Sequence, residues 1–173
     1  MNHNEKVLEE GKIKMDRIIY KHIYDTLVNV CDALLKDACD KKEYNGFTGN
    51  TQTSYSCGLY IDGVLSYYAN QDRWNKTPIR LKVPKDEVVF LPDPYEGKPR
   101  KVKGIVEVNN MYGKDTAFSF ISSYKAPKKG FVIVMCTGTE YSEYIEKKRG
   151  LNVLSDTYQE TRKILFSKIK PIK

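Results

Sequence analysis

"SYSCGLYIDGVLSYYAN", residues 54 to 70, sets two runs rich in Tyr, Leu, Ile and Val on either side of Asp62 and Gly63. Two residues of this kind between apolar runs signal a two-residue β-hairpin turn, whose central positions need the positive φ that Asp and Gly tolerate. If Ile61 faces Val64 across the turn, Cys57, Leu59 and Tyr68 share their face, while Tyr60, Leu65 and Tyr67 occupy the other. Both faces are then apolar. One covers the domain core, and the other requires a second layer or a neighbouring chain, a first hint of assembly.

Upstream, from Met15 to about Lys42, apolar residues return at Ile19, Ile23, Leu27, Cys31, Leu34 and Leu35. That spacing of three and four predicts a long amphipathic helix with Asp16, Lys21, Asp25, Asp32 and Lys36 on its outer face. "KKEYNGFTGN" ends it with two glycines and two asparagines.

Downstream, residues 70 to 104 read differently, because Pro78, Pro84, Pro92, Pro94 and Pro99 break them into short pieces. "IRLKV" alternates Ile79, Leu81 and Val83 against Arg80 and Lys82, and "EVVFL" is a second short strand candidate. "GKPRKVK" brings Lys98, Arg100, Lys101 and Lys103 together. The segment reads as a projecting loop or extended arm on a single domain spanning 1 to 173, either contacting DNA or an acidic partner or simply solvated.

"VKGIVEV" predicts one more strand, and residues 115 to 124 a helix with Ala117, Phe118, Ile121 and Tyr124 on one face. Pro127 and Gly130 set a turn. "FVIVMC", residues 131 to 136, is apolar without alternation, the pattern of a central strand covered on both faces. Ser155 or Asp156 then caps a last helix whose apolar face is Tyr158, Ile164, Leu165 and Ile169.

A length of 173 residues suits one domain with a proper core. The net charge of +7 fits an acidic partner, whether nucleic acid or protein carboxylates, and equally an ordinary solvated surface. Thirteen tyrosines supply contact area with a polar tip, which suits interfaces. Cys31, Cys39, Cys57 and Cys136 stand without a CxxC spacing and the only histidines are His3 and His22, so no zinc site is expected. The polar start and the lack of a long apolar run point to a soluble protein of a reducing compartment, with no membrane segment.

Constellations that carry chemistry are sparse. Glu143 and Glu146 would share a face of a helical turn, as paired carboxylates for acid and base work do, but Lys147, Lys148 and Arg149 follow at once and surface ion pairing explains them. Nucleophilic catalysis needs a base within reach of a Cys or Ser, and both histidines lie near the N-terminus. The glycines form neither GxxxxGK[ST] nor GxGxxG. Tyrosines 55, 60, 67 and 68 suit a base-stacking platform, yet no basic residue lies between them, which favours core or subunit interface. No cofactor, metal or catalytic residue is expected.

Three pieces in order carry a resemblance: "GFTGNTQTSYSCGLYIDGVL" after a long helix, "GKDTAFSFISSY" before a strand, and "FVIVMCTGTEYSEYIEKKRGLNVL". Together they resemble the tail-completion or head-to-tail joining (neck) proteins of tailed bacteriophages, including phages of gut bacteria. Thr48, Gly49 and Ser54 match that family's first motif, with Thr51 in place of the usual leucine and a spacing one residue longer. Tyr141, Tyr144, Ile145, Glu146, Gly150, Val153 and Leu154 match its second, with Ser142 replacing alanine.

The resemblance implies an α+β fold, an antiparallel sheet packed by the N-terminal helix and the later helices. It also implies a non-enzymatic structural protein of the virion, made in the host cytoplasm, that forms a homo-oligomeric ring between the portal or its adaptor and the tail. DNA passes through the ring. On this reading Tyr60, Tyr67, Tyr141, Tyr144 and Glu146 serve a subunit interface or a fold corner, and Lys98, Arg100, Lys101 and Lys103 meet DNA or an acidic partner. The corner itself would turn Tyr141 and Ile145 inward, reset direction at Gly150 and return Val153 and Leu154 to the core. The alternatives are a free basic nucleic-acid-binding protein and a small hydrolase using Glu143 and Glu146.

Overall fold

The structure, a computed structural model, describes residues 2–44, 48–71, 78, 87–92, 99–103, 112–139 and 141–171. It is an α+β fold. Helix α1 (His3–Lys41) leads into strands β1 (Tyr55–Ile61) and β2 (Val64–Gln71). Strands β3 (Val88–Pro92) and β4 (Pro99–Lys103) follow, then helix α2 (Gly113–Ser123) and strand β5 (Phe131–Cys136). Helices α3 (Tyr141–Arg149) and α4 (Ser155–Lys168) close the order.

The main sheet is antiparallel with strand order β2-β1-β5. Asp62 and Gly63 have φ of 50° and 84°, the conformation the hairpin turn demands. One feature of the hairpin differs from the alternation read in the sequence. Tyr60 pairs with Leu65 but Leu59 with Tyr67, so Ser66 bulges out and every later residue of β2 changes face. Tyr67 therefore joins Leu59 and Cys57, and Tyr68 moves to the side of Gly58.

The first face packs on α1. Cys31, Leu35, Ala38 and Cys39 from the helix meet Tyr55, Cys57, Leu59 and Ile61 from β1, with Tyr67, Ile133 and Met135 at the margin. The second face is covered by α2, whose Ala117 and Ile121 are fully buried. Contact there is close because Gly58 has no side chain: a Cβ would lie 2.6 Å from Ile121 Cγ2. The second layer that the hairpin required is thus supplied within the chain, and the hint of assembly drawn from two apolar faces does not hold.

β1 is the strand buried at all seven positions, and "FVIVMC" forms an edge. The expectation of a central β5 is corrected: among the described strands it is the outer one, and it is half-buried along most of its length. Helix α1 begins twelve residues before the apolar stripe that announced it. The added turns hold three Glu and three Lys, good helix formers needing no core contact, and Glu5 accepts the Asn2 amide at 2.8 Å.

In α2 only Gly113, Ala117 and Ile121 are buried, while Phe118 and Tyr124 stay partly exposed instead of completing the predicted face. Tyr158 of α4 is 81% exposed, so the apolar face expected there lacks it. β3 and β4 pair antiparallel in a second sheet, from Val88 with Lys103 to Pro92 with Pro99. The predicted "EVVFL" strand is β3. Val102 and Lys103 of "VKGIVEV" lie in β4, which begins earlier, while the remainder of that stretch and "IRLKV" lie outside the described residues.

Candidate functional site: the corner and the exposed surfaces

The corner begins where β5 ends. Gly138 crosses the start of α2 so closely that a Cβ would lie 1.7 Å from the Gly113 carbonyl oxygen, and a Cβ on Gly113 would lie 2.9 Å from the Asn50 oxygen. Backbone packs on backbone here. The Asn50 side chain accepts the Gly113 amide at 2.7 Å, and the Thr51 hydroxyl meets that of Thr139 at 3.0 Å. Thr139 in turn bonds Ser142 at the first turn of α3. The segments holding the two motifs of the resemblance, around residues 48 to 54 and 137 to 154, therefore touch, and their buried hydroxyls partner one another.

α3 ends at Gly150, whose φ of 63° lets the chain reverse. Val153 is then buried and its carbonyl accepts the Tyr55 hydroxyl at 3.2 Å, while Tyr44 donates to Tyr55 at 3.0 Å. Burial pushes both phenols well above the ordinary tyrosine value.

Glu146 is the pivot. Its Oε1 accepts backbone N–H groups from Val153, Leu154 and Ser155 at 3.3, 2.9 and 2.7 Å. These amides open α4, so a carboxylate from the preceding helix caps it, and Ser155 is its first residue rather than its cap. Burial alone would raise the Glu146 pKa, but the bonds from the Leu154, Ser155 and Val153 amides and the Ser155 hydroxyl outweigh it and hold the pKa below the usual carboxylate value. Glu143 points elsewhere, paired with Lys147 at 2.6 Å on the surface. The pair of carboxylates considered for acid and base work thus has two separate structural engagements.

Asn152 is a residue that sequence reading missed. Its side chain donates to the Lys41 carbonyl at 3.0 Å and accepts the Asp156 amide at 3.1 Å, and its backbone amide donates to Glu43 at 3.0 Å. It ties the end of α1 to the start of α4. The signal available was a single Asn between Leu151 and Val153, which no motif singles out.

The remaining candidates divide. Tyr60 is 2% exposed and donates to the Ile121 carbonyl, so it is consumed inside the chain and offers nothing to a second subunit. Tyr67 is half-buried, its hydroxyl donating to Asp32 of α1 at 2.8 Å. Tyr141 and Tyr144 are exposed, which corrects the expectation that Tyr141 turns inward; Ile145 and Leu154 pack against the core as expected. Arg100, Lys101 and Lys103 lie on β4, with Lys101 exposed, and Lys98 lies outside the described residues.

An open groove between α1 and α4 is lined by Asp25, Asp32, Asp37 and Asp40 together with Lys36, Lys168 and Lys170. Its carboxylates are engaged: Asp37 accepts the Thr157 hydroxyl at 2.8 Å and pairs with Lys41 at 3.1 Å, and Asp25 pairs with Lys21. Among the described residues no group of His, Cys, Asp and Glu is arranged to hold a metal, and no helix is long and apolar enough to cross a membrane.

Among the described residues, the first half of α1 exposes a run of apolar side chains. Val7, Leu8, Met15 and Ile18 are 53, 73, 63 and 51% exposed. With Gly11 they repeat at three and four, forming a stripe roughly 140° around the helix from the buried face. Sheet, covering helices and capped corner together define a small α+β domain with an overhanging amphipathic helix. Compared with protein-family models, curated proteins and solved structures, the chain matches none.

Proposed function

We propose that this chain is a structural virion subunit of a tailed bacteriophage, a ring-forming head-to-tail connector (neck or tail-completion protein) that bridges the portal or its adaptor and the tail around the DNA channel. The observation that carries the reading is the apolar stripe on the first half of α1. A contiguous apolar surface on an overhanging helix is costly to leave in water, and neighbours in an assembly cover it. Exposed Tyr141 and Tyr144 add contact area of the kind interfaces favour. The choice of a phage neck among possible assemblies rests on the two motif segments in the sequence.

The test is mass photometry and negative-stain imaging of the purified protein, alone and with the portal. Rings on the portal are the expected result. Strictly monomeric behaviour with no portal binding counts against the proposal.

A second reading, a free basic nucleic-acid-binding protein, draws on the net charge of +7 and on the cations of β4. It requires DNA affinity that falls steeply with salt, since each neutralised phosphate releases counterions. Absence of binding at low salt removes it.

A further inference from the structure

The two edges of the main sheet are built differently. β2 is interrupted by the Ser66 bulge, and the Ser66 carbonyl accepts the Tyr24 hydroxyl at 3.3 Å, so that edge is blunted. β5 has neither bulge, proline nor charge over its six residues. The Asp62 amide donates to the Gly130 carbonyl, and antiparallel alternation from that pair turns Val132, Val134 and Cys136 toward β1. The N–H and C=O groups of Phe131, Ile133 and Met135 therefore point out of the sheet, and no described residue bonds them. The sequence of β5 is that of a central strand, and its position is that of an edge. Such a mismatch is resolved when another strand adds to it.

We propose that the open edge of β5 receives β3 from a second copy of this chain, extending the sheet from one subunit into the next. β3 has the chemistry for the place. It is five residues long against six, and its Val88 and Phe90 are exposed. Exposed Glu87 precedes it, and exposed Lys128 and Lys129 precede β5, so a β3 running parallel to β5 sets carboxylate beside cation. Edge and donor strand are different surfaces of one chain, which makes the contact heterologous, the type that forms a ring when the rotation between neighbours closes. This inference rests on the ring reading above and supplies its contact.

Hydrogen exchange tests it. The full chain is exchanged at high dilution and in the assembled state, quenched, and read residue by residue by mass spectrometry. Assembly should slow the Phe131, Ile133 and Met135 amides by about tenfold or more, with little change at Val132 and Val134, which already bond β1. Phe90→Asp, at an exposed position, should abolish both assembly and protection while leaving thermal unfolding unchanged. An edge-blocked variant, Phe131→Pro, removes an outward N–H and a half-exposed ring while leaving the amides that bond β1 in place. Mixed with Phe90→Asp it should give dimers that go no further, because one intact edge and one intact donor remain.

Rings whose outward β5 amides exchange as fast as in the monomer overturn strand addition and leave the ring reading standing. Protection that persists at high dilution places β3 of the same chain on the edge and overturns the intermolecular contact. Absence of any assembly, with or without the portal, overturns both.

Discussion

The Ser155 amide donates to Glu146 Oε1 at 2.7 Å, the shortest of three such bonds by which α3 caps α4. Glu146→Gln keeps the shape and loses the charge, and should lower stability by about 1 to 2 kcal/mol in a denaturant titration. The sign with pH follows from the lowered pKa. The contribution is fully present above the ordinary value of 4.5 and is lost as pH falls below it through the folded value, so wild type and variant should converge in acid. Curves that stay parallel down to low pH would remove the capping role.

Gly138 and Gly113 make the tightest crossing among the described glycines. Gly138→Ala must push a Cβ against a backbone oxygen that cannot swing away, and should cost about 3 kcal/mol or prevent folding. Gly11→Ala, where a Cβ meets nothing within 4 Å, should instead stabilise α1 by up to about 1 kcal/mol. Thermal melts of the two variants should move in opposite directions.

Leu8→Lys with Met15→Lys changes the exposed stripe of α1 without touching the core. Unfolding free energy should stay within about 0.5 kcal/mol of wild type, while ring formation on the portal is lost. Wild-type assembly by the double variant would show that the stripe is not an interface.

The Cys136 thiol is pushed up to about 11 by burial. At pH 8 it should react with iodoacetamide far more slowly than a free cysteine peptide, and the rate should climb as pH approaches 11. The native state holds this proton more tightly than the unfolded chain does. Its stabilising contribution is therefore complete below pH 9 and is lost as pH rises through 11, a loss Cys136→Ser should lessen.

The elements themselves were legible in the sequence where local chemistry is decisive. Asp62-Gly63 admits positive φ and so makes a hairpin, the three-and-four spacing from Ile19 to Leu35 makes a helix, and Gly150 ends one. Each depends on residues within a few positions of one another, which is why these elements could be read, while the α+β class was what the resemblance implied. Tertiary structure alone decided the rest. The Ser66 bulge exchanged the faces of Tyr67 and Tyr68, a one-residue shift no composition reveals. β1 took the centre of the sheet and left β5 beyond it, because strand order is set by pairing between segments far apart in the chain. Glu146 became a cap through amides seven to nine residues away, and Asn152 became a tie to Lys41 more than a hundred residues back. Such roles belong to the distances between segments, and sequence spacing does not carry those distances.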